Sequence, residues 1–448
     1  MSTTLPHDAT SATEAGPTVA APPGSVAETL QPILRRLLGP RLPVQVRAWD
    51  SSVVGPPSSP TTVVVDSPDA LRRMLWAPGE LGLVRAYVAG DLHLEGDVFD
   101  LLQVRDAMAD PLEHVEVGLG LKDIPELFRA ARSLGAVGRP LPPPREEARL
   151  KGRRHSPARD RAAIAHHYDV GNDFYRLVLG PSLTYSCAHW PTPHSTLEEA
   201  QAAKYELVCT KLGVRPGMRL LDIGCGWGGM ALHAAEHHGA QVVGITLSKE
   251  QRQLATERAA AAGLSGRIEF RQQDYRDIHD GPFDVVSSIG MFEHVGEART
   301  AEYMDDVYAL VRPGGRLLNH AISRPPGPSA ISDRSFIGRY VFPDGELMEV
   351  GKTVSAMQAA GFEVRDVESL REHYALTLRA WVTNLEANWD EAVRLVGEGR
   401  TRVWLLYMAA SAVNFEQGRT SIHQVLGVRA HPDGRSDMPA TRRELLGL

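Results

Sequence analysis

The chain has 448 residues, about three times the ~150 usual for one domain, so it holds two domains or one large α/β domain with an appendage, not a single small module. Hydrophobic residues at 43% and charged residues at 23% lie near the globular average and exclude wholesale disorder. A formal charge of -7, from 48 basic and 55 acidic side chains, argues against nucleic acid as a partner, and three cysteines give no disulfide framework and point to a reducing cytosol.

Residues 1–27 are rich in Ala, Pro, Ser and Thr, lack the basic start and apolar stretch of an export signal, and read as a disordered leader. Residues 28–137 read as a smaller α+β domain. A helix is expected over residues 30–38, strands near 44–48 and 62–65, and helices over 69–75 and 121–134. Between them, residues 76–97 set glycines among apolar residues, as tight turns between packed elements require. This domain carries no recognisable chemistry and reads as a lipid-binding or dimerisation module. Residues 138–161 are rich in Pro, Arg and Lys and read as a linker. Its cations Arg145, Arg149, Lys151, Arg153, Arg154, Arg159 and Arg161 are either simply solvated or meet anionic headgroups, at ~1 kcal/mol each.

From residue 162 to the end, strands alternate with helices. Strands are expected at 219–223, 241–245, 268–272, 284–288 and 316–320, with helices at 200–212, 230–238, 249–262 and 301–311, and a late strand at 362–367. Apolar strands separated by helices imply a doubly wound, mostly parallel sheet covered on both faces, the α/β class. No apolar run reaches the ~18 residues of a membrane-spanning helix; the run from Trp404 to Val413 is short and carries Tyr407 and Ser411.

The first of these strands runs into Leu221-Asp222-Ile223-Gly224-Cys225-Gly226-Trp227-Gly228-Gly229 and then a helix. Such a turn lets a ligand lie against backbone N–H groups, and Gly224, Gly226 and Gly229 also satisfy the dinucleotide-binding spacing. The neighbours decide between cofactors. A dehydrogenase would place a carboxylate at the end of the second strand, where this chain has Thr246-Leu247-Ser248. Asp222 before the first glycine, and Gln273-Asp274-Tyr275 after the third strand, suit S-adenosylmethionine instead: an acid near the amino-acid end, polar and aromatic groups around adenine.

Further blocks flank this turn, and in order the set reads YDVGNDFY, TYSCAHW, LDIGCGWGG, GITLSKEQ, FEHVG, NHAI, YVFPDGEL and HYALTLRAW. Each is weak alone. Together they resemble the cyclopropane fatty acid synthase and mycolic acid methyltransferase family, and residues 76–92 resemble the N-terminal domain of its longer, phospholipid-acting members. The resemblance implies a class I S-adenosylmethionine-dependent methyltransferase with cofactor contacts at Tyr185, Ser186, Asp222, Gly224, Cys225, Gly226, Trp227, Thr246, Leu247, Gln251, Asp274 and Tyr275. It also implies a bound bicarbonate ion held by Cys187, Glu293, His320, Tyr374 and the backbone of Ile322, with no metal.

These residue types suit that task. An isolated alkene is a poor nucleophile, so methyl transfer to it needs alignment and a dry acyl tunnel. The carbocation must then lose a proton, and a strong side-chain base beside a sulfonium would itself be methylated. His320, Tyr374, the Ile322 N–H and the weak Cys187 S–H are donors, and Glu293 accepts the ion's own proton or orients a neighbour. Two adjacent anions repel, so Glu293 and bicarbonate must share a proton or be bridged by a donor.

Taken one by one, Cys187 would read as a small buried hydrophobe, His320 as a core histidine and Tyr374 as helix packing. Cys225 reads as packing in the turn and Cys209 as core. Tyr168, Phe292, Phe336 and Tyr340 are the aromatic candidates to face the developing charge, and residues 324–345 read as a lid over the acyl site.

The resemblance implies methyl transfer to the cis double bond of a phospholipid acyl chain by a cytoplasmic enzyme, peripheral on the inner face of the cell membrane and in one arrangement a homodimer. Ring closure would give a cyclopropane. Hydride shift would give a methylene, which a partner reductase would convert to a methyl branch. Two other readings use the same residues: a methyltransferase of a small soluble substrate, and a lipid-binding protein with a vestigial cofactor fold.

Overall fold

A computed structural model describes residues 20–38, 42–107, 124–148, 170–332 and 334–447. The block from His166 to Asp169, with Tyr168, and the linker cations from Arg149 to Arg161 lie outside the described residues. The chain divides into two compact units, Met1–Pro144 and Arg145–Leu448.

The first unit contains α1 (Val26–Leu38), β1 (Gln45–Arg47), β2 (Val53–Val54), β3 (Thr62–Val65), α2 (Asp69–Trp76), α3 (Glu80–Ala89), β4 (Leu92–Glu95), α4 (Val98–Ala107) and α5 (Ile124–Ser133). Its sheet runs β2-β1-β3-β4, with β1 and β3 parallel and the outer pairs antiparallel. Helix α1 begins inside the expected leader, because Asp50 and Ser52 accept the Val26 and Ala27 N–H groups at 2.9 and 3.0 Å. Helix α3 ends on Gly90 in the left-handed region, which turns the chain into β4. Trp76, Phe128 and Val137 keep much of their apolar surface exposed, and the Trp76 indole donates to the Gly138 carbonyl at 3.0 Å.

The second unit contains α6 (Asn172–Leu179), α7 (Leu197–Leu212), β5 (Arg219–Ile223), α8 (Gly229–His238), β6 (Gln241–Thr246), α9 (Lys249–Ala261), β7 (Ile268–Gln272), β8 (Phe283–Ile289), α10 (Thr300–Leu310), β9 (Val311–Ser323), α11 (Val350–Ala359), β10 (Glu363–Ser369), α12 (Arg371–Ala387), α13 (Trp389–Val396), α14 (Glu398–Glu416), β11 (Ser421–Val428) and α15 (Arg442–Leu445). Part of the expected linker belongs here: Glu146 and Glu147 are buried, and the Ala148 N–H donates to the Arg339 carbonyl at 2.8 Å.

Seven strands make one sheet in the order β10-β11-β9-β8-β5-β6-β7. Pairs from β9 to β7 are parallel, and β11 runs antiparallel to both β9 and β10. Successive strands leave β5 in opposite directions, to β6 on one side and β8 on the other, which opens a crevice at their carboxyl ends. The helices cover both faces. One core gathers Val208, Cys209, Met230, Ala255 and Phe270; the other gathers Tyr303, Met304, Val307, Met357 and Phe362. The doubly wound expectation holds, and β11 is the strand it omits. Helix α7 starts three residues before its expected position because Thr196 and Glu199 form a reciprocal capping box. The apolar run from Trp404 lies in α14, where Trp404, Met408 and Ala412 are buried, and no helix among the described residues is long and apolar enough to cross a membrane.

Candidate active site

The carboxyl ends of β5, β6, β7 and β8 surround a cavity of about 760 Å³. All twelve residues expected at the cofactor line it. At its base, Asp222 of β5 sits opposite Ser287 of β8, and the Ser287 hydroxyl donates to Asp222 Oδ1 at 2.7 Å. The other oxygen, Oδ2, is buried without a partner, and burial pushes the carboxyl up to about 6 against the pull of Ser287 and Lys204. An acceptor so placed suits a cationic or hydroxyl donor in the cavity.

The glycine turn works differently from its sequence-based expectation. The Gly224 and Cys225 N–H groups both donate to the Ile245 carbonyl, at 3.0 and 2.9 Å, so they tie the turn to β6 and do not face a ligand. The glycines matter for space. A Cβ on Gly229 would lie 2.1 Å from the Tyr205 hydroxyl oxygen, which itself shares a 2.7 Å hydrogen bond with Thr184. Trp227 is fixed by its indole N–H to Asn172 Oδ1 at 2.8 Å, and Thr246 donates to Gln251 Oε1 at 2.7 Å at the start of α9. Asp274 is gripped by the Arg276 guanidinium at 2.8 and 2.6 Å while its backbone neighbour Tyr275 also lines the cavity.

None of the expected catalytic residues lines this cavity; they lie on β9 and on the elements joined to it. His320 and Ile322 share one face of β9. Ile322 donates its N–H to Glu293 Oε1 at 2.8 Å, and Glu293 stands between the lining residues Met291 and His294. Across the sheet Ile322 pairs with Ile422, whose carbonyl accepts the Leu370 N–H at 2.9 Å. The Leu370 carbonyl in turn accepts from Cys187 Sγ at 3.7 Å and from the Tyr374 N–H at 3.1 Å. Cys187 also reaches the Ala188 carbonyl, and it follows directly on Tyr185 and Ser186 of the cavity wall. The Tyr374 ring packs against Phe415 and Trp381.

Two atoms of this group are buried with no hydrogen-bond partner, Glu293 Oε2 and His320 Nε2. Burial pushes the Glu293 carboxyl up to about 7, although the Ile322 N–H opposes it. Burial, with the nearby lysines, holds His320 well below its usual value and therefore neutral. Gln424 Nε2 lies 3.4 Å from His320 Nδ1, and an amide donating there would put the imidazole proton on Nε2.

Lys204 was not among the expected residues. It lines the cavity, is fully buried, donates to Ser186 Oγ at 3.1 Å and lies 3.9 Å from the Tyr205 ring centre. Burial lowers it to about 7, while Cys187 and Asp222 oppose the fall. The signal in the sequence is periodicity: Ala200, Lys204, Val208 and Leu212 form the inward face of α7. Of the aromatic candidates, Phe292 packs on Tyr303, and Phe336 pairs with Tyr340, whose hydroxyl donates to Glu147 at 3.2 Å; none of the three lines the cavity. Tyr185, Trp227 and Phe342 do. Of the expected lid, only the end from Phe342 to Gly345 contributes to the wall.

The mycolic acid cyclopropane synthetase family matches residues 155–425. A probable fatty acid methyltransferase of Mycobacterium tuberculosis is 42% identical over 411 residues, which cover 89% of this chain and 93% of the relative. The cyclopropane-fatty-acyl-phospholipid synthase of Escherichia coli is 33% identical over 380 residues, 84% of this chain and 90% of the relative. Among solved structures, the cyclopropane synthase MmaA2 from Mycobacterium tuberculosis matches with a TM-score of 0.56 at 33% identity, over 59% of this chain and 97% of that one. Mycolic acid cyclopropane synthase CmaA1, complexed with SAH and CTAB, matches with a TM-score of 0.56 at 34% identity over the same shares. Coverage by the family, near-full-length relatives and a shared sheet agree: the chain belongs to the mycolic acid cyclopropane synthetase family and has the fold of S-adenosylmethionine-dependent methyltransferases.

Proposed function

We propose that the chain transfers a methyl group from S-adenosylmethionine to the cis double bond of an unsaturated phospholipid acyl chain, giving a cyclopropane or a methylene product through a carbocation, with bicarbonate as base. When bound, S-adenosylmethionine supplies an electrophilic methyl and bicarbonate a proton acceptor that resists methylation. The observation that carries this reading is the pair of buried, unpartnered atoms Glu293 Oε2 and His320 Nε2 beside a cavity with its own unpartnered acceptor, Asp222 Oδ2. Buried polar atoms are as a rule hydrogen-bonded, so each invites a guest.

The residues fit both groups. Asp222 and Ser186 suit a charged amino-acid end; Thr246, Leu247 and Tyr275 suit an adenosine. For an anion that carries a proton, His320 donates from Nε2. Burial pushes Glu293 up to about 7 and so favours its protonated form, which relieves the repulsion a carboxylate would add. Lys204 contributes positive charge felt at Cys187 and His320. Tyr185, Trp227 and Phe342 keep water from the reacting carbons, and ring faces stabilise a cation by ~0.5–2 kcal/mol.

The names of the relatives, fatty acid methyltransferases and a cyclopropane-fatty-acyl-phospholipid synthase, support an acyl substrate. In the first unit, exposed Trp76, Phe128 and Val137, with Arg129 and Arg132 exposed on α5, support a peripheral place on an anionic membrane on the cytoplasmic side. The test is to incubate the purified chain with S-adenosylmethionine and liposomes of unsaturated phospholipid. Release of S-adenosylhomocysteine is followed together with lipid mass spectrometry, after chromatography that separates ring from methylene isomers. Addition of one CH₂ per chain at the former double bond is expected. Turnover of a soluble substrate without liposome stimulation, or no release of S-adenosylhomocysteine, would overturn the reading.

A further inference from the structure

Helix α7 carries a second group of chemistry-bearing side chains one turn beyond Lys204 and Tyr205. Glu206 and Cys209, three residues apart and so on one side of α7, meet His233 and His238 of α8. One ligand atom each from Cys209, His233 and His238 lies within 4.8 Å of the other two. Glu206 Oε2 lies 3.1 Å from His233 Nε2 and 3.0 Å from His238 Nε2. In a tetrahedral site with ~2.0–2.1 Å bonds to nitrogen and oxygen, neighbouring ligand atoms sit only ~3.3 Å apart, close to these spacings.

The two imidazoles and the carboxylate make a plain hydrogen-bond network without any guest. That network leaves Cys209 unused: its Sγ makes no hydrogen bond among the described residues, and the residue is shut off from solvent. Access is open from the outside, because the Glu206 side chain is 53% exposed while the imidazoles are 13% and 19% exposed. None of the four residues lines the cofactor cavity.

We propose that Cys209, His233 and His238 form a site for one divalent transition-metal ion, with Zn²⁺ the best match to one thiolate and two imidazoles and the Glu206 carboxylate beside the imidazoles. The ion joins α7, which carries Lys204 and Tyr205 to the cofactor cavity, to α8, which begins where Gly229 meets the Tyr205 hydroxyl. Its role is structural, since none of these residues lines the cofactor cavity.

The test uses the full chain, prepared without a polyhistidine tag, stripped with a chelator and titrated with Zn²⁺ or Co²⁺. One equivalent of either ion is expected, with a rise in melting temperature, tetrahedral Co²⁺ absorption and a thiolate-to-cobalt charge-transfer band. Cys209→Ala should abolish that band, Cys225→Ala should keep it, and His238→Ala should weaken Zn²⁺ binding at least ~10-fold. Circular dichroism establishes that each variant is folded. A cobalt complex without the thiolate band, binding in Cys209→Ala equal to that of the parent chain, or no stoichiometric binding would overturn the site and leave the network as ordinary hydrogen bonding.

Discussion

The Ile322 N–H holds Glu293 by one oxygen at 2.8 Å, and the second oxygen of the same carboxyl is buried without a partner. The backbone of β9 therefore aims the group, and the group's free oxygen is what chemistry can use. Glu293→Gln keeps an acceptor for Ile322 but cannot titrate. Turnover of the purified variant should fall by ~10²–10⁴-fold, while calorimetric affinity for S-adenosylmethionine stays near that of the parent. Undiminished turnover would remove Glu293 from the mechanism.

Two buried groups should leave opposite marks on stability. Glu293 titrates at about 7 in the fold against an ordinary 4.5, so the unfolded chain gives up its proton first and stability falls as pH rises from 4.5 to 7. Lys204 titrates at about 7 against 10.5, so the unfolded chain holds its proton longer and stability rises between pH 7 and 10.5. Each slope is at most ~1.4 kcal/mol per pH unit. Denaturant melts of Glu293→Gln and Lys204→Met, subtracted from the parent at each pH, should lose one slope each, in separate windows. A difference flat with pH would mean that neither group is shifted.

Gly229→Ala forces a methyl group to within 2.1 Å of the Tyr205 hydroxyl oxygen and 2.8 Å of the ring carbon that bears it. Overpacking of this kind costs ~1–3 kcal/mol, and the displaced tyrosine lies in the cavity wall, so cofactor affinity should fall with stability. Adding Tyr205→Phe removes the nearer clash only. The double variant should recover part of the melting temperature, and a complete recovery would show that the ring carbon contact is harmless.

The exposed Trp76 and Phe128 of the first unit give the membrane reading its own check. Replacing both with serine removes apolar area worth ~1.5–3 kcal/mol per side chain if they enter lipid. Sedimentation with anionic liposomes should show at least ~10-fold weaker binding. Unaltered binding would place the lipid contact elsewhere.

Much of the cofactor half was legible in sequence, because β5, β6 and β8 are short, mostly apolar runs, β7 alternates Ile268 and Phe270 with polar residues, and their carboxyl ends coincide with the cavity. Strand β11 was not. Its sequence, SIHQVLGV, mixes His423, Gln424 and Gly427 into an apolar run and follows a long helix, so neither periodicity nor alternation singles it out. Lys204 escaped for another reason: its charge argues for solvent, while its spacing on α7 argues for the core, and the spacing prevailed. Lys211, seven residues on and equally buried, shows the usual resolution, with Asp366 at 2.9 Å and Glu368 at 2.5 Å as counter-charges. Lys204 has a hydroxyl and a ring instead. Phe292, Phe336 and Tyr340 do not line the cofactor cavity, because the direction of a ring is set by packing partners distant in sequence, as Glu147 is for Tyr340.

Strand β11 lies between β9 and β10 and sets Gln424 against His320, yet it leaves the ribosome after both of its neighbours. During synthesis the β9 edge, with its unsatisfied backbone groups, therefore waits for a partner that arrives nearly a hundred residues later. A product of premature termination just before Ser421 would keep every side chain that lines the cofactor cavity and still present an open sheet. Quality control acting on such fragments would be reading the absence of one strand.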